Sequence, residues 1–240
     1  MSGIVMVHPS RAQLARATGM RLVLSIQAAQ AERGWAEVGL TGGSMGSAVV
    51  AAAYESGITD CVDWTKVGIW WGDERYLPAG EPDRNDTQND EAGLSLLGIP
   101  PEHIHRVQGP DESGSLEDAA AAYEAAIREH GRGAFDITLL GVGPDGHVAS
   151  LFPGHPMQLA DDAIALAVTD SPKPPSDRVS LSLEALRRSR EVWFVVSGED
   201  KAQAVVDGVG EAPPSKSTAS QVSGTERTLW LVDPAAASGL

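Results

Sequence analysis

Histidine is the side chain best suited to exchange protons near neutral pH. One of the six, His147, closes the turn Gly141-Val142-Gly143-Pro144-Asp145-Gly146-His147. The glycines of this turn expose backbone N–H groups, while Asp145 and His147 can face a ligand. The chemistry would be proton transfer, with Asp145 orienting the imidazole or stabilising its charged form. A second turn, Thr41-Gly42-Gly43-Ser44, lets the backbone approach a ligand closely. Ser44 can open a helix whose free N–H groups favour an anion such as phosphate. The same residues equally fit a plain tight connection, and they lack the Gly-Lys-Ser/Thr ending of a nucleotide P-loop. A third turn, Asp73-Glu74-Arg75, follows Trp70 and Trp71. Arg75 could grip a phosphate through two parallel hydrogen bonds, or form a surface ion pair with its acidic neighbours.

Other readings of these residues are weaker. Gly141, Gly143 and Gly146 satisfy the spacing of a dinucleotide fingerprint, with Asp161 about 20 residues beyond. That fingerprint needs a long helix next, and Pro153 and Pro156 leave room only for a short helical turn. His8, His103, His105, His130 and His155 read as structural or surface residues, because none of their groupings has metal-ligand spacing.

The elements that must position these turns alternate between two patterns. Valine-, isoleucine- and leucine-rich runs read as strands at Ile4 to Val7, Val38 to Leu40, Val67 to Trp71, Phe135 to Leu140, Ile164 to Val168, Arg178 to Leu181, Val192 to Val196 and Thr228 to Val232. Helical spacing covers Gln13 to Ala31, Met45 to Tyr54 and Leu116 to Glu129, and a further helix begins over Lys201 to Val206. Pro78 to Glu91 reads as a long polar loop leading to a helix. Alternation of this kind predicts an α/β fold with a mainly parallel sheet, in which ligands bind beyond the carboxyl ends of the strands. The three polar segments can therefore meet in one crevice.

With 240 residues and 42% apolar content, the chain can bury a sizeable core, and one domain spanning 1–240 is expected. Acidic residues outnumber basic ones by 33 to 18, and the formal charge of -15 argues against a nucleic-acid or anionic-membrane coat. It does not argue against a small anion held by a few cations in a pocket. Cys61 is the lone cysteine and reads as a buried or half-buried small apolar residue. Without a signal-like start or an apolar run of roughly 20 residues, the expected location is the cytoplasm.

The segment from Phe135-Asp136 through Gly154, with its core Gly143-Pro144-Asp145-Gly146-His147-Val148-Ala149-Ser150-Leu151-Phe152-Pro153, closely resembles the hallmark of the 6-phosphogluconolactonase family. Leu40 to Ser44, Trp71 to Pro78, Pro172-Lys173-Pro174-Pro175 leading to Arg178-Val179-Ser180-Leu181, and Ser197 to Lys201 join it in order, so the resemblance spans nearly the whole chain. It implies a Rossmann-like sheet sandwiched by helices, acting without metal or organic cofactor. The implied reaction is hydrolysis of 6-phospho-D-glucono-1,5-lactone in the oxidative pentose phosphate pathway.

On this reading His147 activates water, and Arg75, Arg178 and Lys201 hold the phosphate with backbone groups at Gly42, Gly43 and Ser44. The only expected partner is the phosphorylated sugar lactone, bound by a monomer. Met45-Gly46 departs from the Thr-Pro that usually follows the Gly-Gly-Ser turn of lactonases. Glucosamine-6-phosphate deaminases share that turn and the Asp-Gly-His element but continue as Ile-Ala-Phe-Asn-Glu-Pro, whereas this chain continues as Val-Ala-Ser-Leu-Phe-Pro. A deaminase or isomerase is thus the rival enzyme. A non-catalytic sugar-phosphate-binding regulator is the rival of another class, and it would not need His147 in this setting.

Overall fold

Every residue of Ala36–Leu40, Val67–Trp71 and Ile137–Leu140 is buried, as strands must be when helices cover both faces of a parallel sheet. In the computed structural model, which describes residues 3–240, these runs lie side by side in a six-stranded sheet. Along the chain the elements are β1 (Ile4–Val7), α1 (Arg11–Arg33), β2 (Ala36–Leu40), α2 (Gly43–Tyr54), β3 (Val67–Trp71), β4 (Asp73–Arg75), α3 (Asn85–Glu91), α4 (Leu116–His130), β5 (Ile137–Leu140), β6 (Ala165–Val168), β7 (Arg178–Leu181), α5 (Leu183–Arg187), β8 (Glu191–Val196), α6 (Ala202–Val209) and β9 (Arg227–Val232). The large sheet runs β1-β9-β8-β5-β2-β3, and every neighbouring pair is parallel.

Successive residues of a strand face opposite sides, and the tryptophans show it. Trp70 belongs to the apolar cluster of one face, with Tyr123 of α4, Phe194 and Trp230, while Trp71 belongs to that of the other, with Leu22 and Ile26 of α1, Val49 of α2 and Trp193. The chain steps outward from β2 to β3, then returns on the other side of β2 at β5 and continues to β8 and β9. Connections leaving β2 and β5 therefore part from each other, which opens a crevice at the carboxyl ends of these two strands. The turns Thr41 to Ser44 and Gly141 to His147 both lie there.

Three expectations need correction. Asp73-Glu74-Arg75 is a strand rather than a turn: it pairs antiparallel with β7, which in turn pairs with β6, forming a second sheet of order β4-β7-β6. Gly72 is the junction, donating its N–H to Leu40 of the first sheet and accepting from Leu181 of the second. Within the stretch read as a loop, Asn85–Glu91 is helical. Its sequence is polar throughout and has no apolar period, and its first N–H groups are satisfied by the distant Glu74. Cys61 is exposed, at the end of a 3-10 turn over Thr59–Cys61. Element ends also move by a few residues; β5, for example, starts at Ile137 rather than Phe135. No helix among the described residues is long and apolar enough to cross a membrane.

Candidate active site

The His147 ring is fixed by its own turn. Gly143 N–H donates to the His147 carbonyl at 2.9 Å and Gly146 N–H to the Gly143 carbonyl at 2.9 Å, folding the segment back on itself. The imidazole then meets Asp145, with Nδ1 2.5 Å from Oδ1. A carboxylate at this distance requires Nδ1 to carry the proton, so Nε2 is the basic nitrogen, and it has no hydrogen-bond partner among the described residues. Burial opposes ionisation of Asp145, but the His147 contact and the Lys173 charge outweigh it and hold the carboxyl well below the usual range. Gly143 permits the packing: a Cβ there would lie 2.0 Å from His147 Nδ1 and 2.3 Å from Asp145 Oδ1. Phe152 covers the ring, with centroids 4.5 Å apart.

Arg75 is aimed by α3. Glu74 accepts the N–H groups of Asn85 at 2.7 Å and Asp86 at 2.9 Å, which anchors the start of that helix beside β4. The Asn85 amide donates to the Asp73 carbonyl at 2.7 Å, and its Oδ1 accepts Arg75 Nη1 at 2.6 Å. A Cβ on Gly42 would sit 1.8 Å from that Oδ1, so the Gly-Gly-Ser turn is what lets Asn85 reach the arginine. Arg84 and Asp86 support the loop from beneath through two 2.9 Å contacts, both side chains being buried. Arg75 Nη1 also donates to the Asp83 carbonyl, whereas Nε is buried without a partner. An unpaired buried donor is costly. Both contacts are made by Nη1, and Nη2 has no hydrogen-bond partner among the described residues, so it is the donor left for a ligand oxygen.

One cation, Lys173, meets the histidine, and the charges of Lys201 and Arg178 reach Lys173 in turn. Lys173 Nζ lies 3.4 Å from His147 Nδ1 and 3.8 Å from Asp145 Oδ1. Burial, together with the charges of Lys201 and Arg178 and against the pull of Asp145, pushes the Lys173 ammonium below the ordinary lysine value. Lys201 stands at the start of α6, 3.3 Å from Asp200. Arg178, on β7, is 5% exposed and spends its donors on the carbonyls of Lys173, Pro174 and Pro175 and on Ser150, with Asp73 at 3.8 Å. Ser44 is exposed at the first turn of α2, whose N-terminus has no side-chain cap, and the Gly43 N–H is taken by Gln88 at 3.2 Å. The cavity at the amino ends of β2 and β5, lined by Glu37, Arg132 and Phe135, contains none of these residues.

The description of the glucosamine-6-phosphate isomerases/6-phosphogluconolactonase family matches residues 9–230. The chain belongs to this family. A relative from Streptomyces coelicolor named 6-phosphogluconolactonase is 44% identical over 245 residues, covering 98% of this chain and 94% of its own. One of the same name from Mycobacterium tuberculosis is 43% identical, covering 100% and 99%. A crystal structure described as 6-phosphogluconolactonase from Thermotoga maritima superposes with a TM-score of 0.84 at 25% identity, covering 96% of this chain and 99% of its own. Family membership agrees with the α/β fold, the parallel sheet and the crevice described above.

Two residues of the site escape a residue-by-residue reading of the sequence. Asn85 sits in a featureless polar run, and only the three-dimensional contact with Gly42 reveals it. Lys173 was visible as part of Pro172-Lys173-Pro174-Pro175, but no rule of spacing ties a proline-flanked lysine to a histidine 26 residues away. The five other histidines stay clear of His147. His105 stacks on Trp70 and His130, His103 packs edge-on to Trp35, and His155 Nδ1 accepts the Met157 N–H. Among the described residues no group of three or more His, Cys, Asp or Glu side chains is placed to hold a metal ion.

Proposed function

We propose that this protein hydrolyses 6-phospho-D-glucono-1,5-lactone to 6-phosphogluconate. The observation that carries the reading is the 2.5 Å contact between Asp145 and His147 Nδ1, which directs the free Nε2 away from the carboxylate, in a crevice furnished with cations. Water attacks the lactone carbonyl as Nε2 takes its proton. The resulting tetrahedral species collapses with cleavage of the bond to the ring oxygen, and the imidazolium returns a proton to that oxygen. Arg75 and Lys201 hold the phosphate, helped by backbone groups of Gly42 and Ser44, since the Gly43 N–H is engaged by Gln88, and Arg178 adds charge from behind. Metal and organic cofactors have no part in this scheme.

The segment after His147 favours hydrolysis over deamination, because Val148 to Pro153 supplies no acidic side chain where the deaminase segment has one. Residues 1–240 act as one domain, and the working species is a cytoplasmic monomer with no nucleic-acid or membrane partner. The single Cys61 and the formal charge of -15 support this setting.

Proton release from freshly generated 6-phosphogluconolactone, with the spontaneous rate subtracted, tests the reading. His147→Ala should lower turnover by roughly 10²- to 10⁴-fold. Full activity in that variant would remove His147 as the base, and ammonia release from glucosamine 6-phosphate by the wild type would favour the rival enzyme.

A further inference from the structure

Addition of water to a lactone carbonyl places negative charge on its oxygen, and a donor already aimed at that oxygen supplies much of the available rate. In the His147 turn the backbone N–H groups of Gly143 and Gly146 are already engaged by carbonyls, and Pro144 has none. The nearest cation to the imidazole is Lys173, 3.4 Å from Nδ1. We propose that Lys173 is a further catalytic residue, whose ammonium stabilises the carbonyl oxyanion. This inference rests on the lactonase reading above.

The lysine is held in place by a built strap. Arg178, itself buried, reaches across from β7 and donates Nε to the Pro175 carbonyl at 3.1 Å and Nη2 to the Lys173 and Pro174 carbonyls at 3.2 and 3.3 Å. Ser171 Oγ accepts the Lys173 N–H at 3.3 Å and donates to the Lys173 carbonyl at 3.1 Å. The backbone of Lys173 is pinned on both sides, while its side chain is 40% exposed and retains donors for a ligand. An ammonium is a compact point charge with three rotatable N–H donors, which suits a single oxygen better than a planar guanidinium does. Arg75 is engaged at a different turn, with Asn85 and Asp83, and it serves the phosphate end of the substrate.

In the step itself, the water oxygen bonds to the carbonyl carbon while its proton passes to His147 Nε2. The carbonyl electron pair moves onto oxygen, where a Lys173 N–H bonds to it. When that pair returns, the bond to the ring oxygen breaks and the His147 proton goes to that oxygen. Lys173 keeps its proton throughout, and Asp145 balances its charge.

Steady-state kinetics of the wild type, Lys173→Met and Lys173→Arg on 6-phosphogluconolactone and on the same lactone lacking phosphate provide the test. Lys173→Met should lower kcat by about 10²- to 10³-fold on both lactones while leaving KM little changed, as loss of a transition-state donor requires. Lys173→Arg, which keeps the charge, should recover part of the loss. A raised KM confined to the phosphorylated lactone would make Lys173 a phosphate ligand and overturn the inference, as would unchanged kcat in Lys173→Met. A wild type without activity on either lactone would sink the lactonase reading instead. Equal thermal midpoints of the three proteins establish that the lost activity is not lost fold.

Discussion

Arg75 of β4 and Arg178 of β7 are direct partners across the antiparallel ladder. Two like charges in this relationship are unfavourable, and burial adds to the cost. Burial first, and then the Arg75 charge, depress the Arg178 pKa, against the pull of Asp73 and Glu74. Asp73, 3.8 Å from Arg178, and Asn85, 2.6 Å from Arg75, relieve only part of the strain, since Arg75 Nε stays unpaired. A phosphate group at Arg75 Nη2, which has no partner among the described residues, would offset the remaining charge.

It follows that Arg75→Ala should raise KM for the phosphorylated lactone. A charge-assisted hydrogen bond is worth about 1.5–3 kcal/mol, so kcat/KM should fall by about 10- to 100-fold. Inorganic phosphate should raise the thermal midpoint of the wild type and have little effect on the variant. An unchanged KM would show that the phosphate sits elsewhere.

Gly143→Ala tests whether the histidine depends on a missing Cβ. The backbone there does not require glycine, but the new methyl would overlap His147 Nδ1 and Asp145 Oδ1. Activity should fall by at least about 100-fold, the range for a displaced acid–base group, with circular dichroism unchanged. Normal turnover in this variant would mean that the ring need not touch Asp145.

Asp145→Asn removes the acceptor that sets the His147 tautomer, and kcat should drop by about 10²-fold or more. Stability carries a separate signature. The folded-state pKa of Asp145 lies below its ordinary value of 3.8, so its contribution is present above that value and is lost as pH falls through the folded one. Denaturant titrations should find the variant less stable at pH 7, with the gap narrowing only in strong acid. A gap independent of pH would rule out an ionised Asp145 as its source.

Glu37, at the opposite end of the sheet, behaves in the reverse sense. Burial pushes its carboxyl up to about 7, although hydrogen bonds from Trp70 at 2.6 Å and Trp35 at 2.8 Å pull it down. The folded state keeps a proton that the unfolded chain releases near 4.5, so this residue makes stability decline as pH rises from there to about 7. In Glu37→Gln that component of the slope should vanish. If wild type and variant show parallel pH profiles, Glu37 ionises at the same pH in the folded and unfolded chain.

The parts of the fold legible in the sequence are those with a strong local signal. β2, β3 and β5 are apolar runs, α1 and α4 carry helical periodicity with serine N-caps, and the turn from Gly141 to His147 announces itself through glycine, proline and a lone histidine. α3 was hidden because Asn85–Glu91 has no apolar face, and β4 because three charged residues give no strand pattern. Each exists through a distant partner: Glu74 for the helix, Arg178 to Ser180 for the strand.

By itself the sequence determined which residue types could do chemistry and the α/β order that carries their turns to one edge of a sheet, since both depend on local composition and spacing. Which groups touch was decided only by the tertiary structure. Asn85 under Gly42, Arg178 gripping the strap that bears Lys173, and Lys173 beside His147 all join residues far apart in the chain. Contacts of this kind arise when strand register and loop packing bring remote segments together, and no local pattern encodes them.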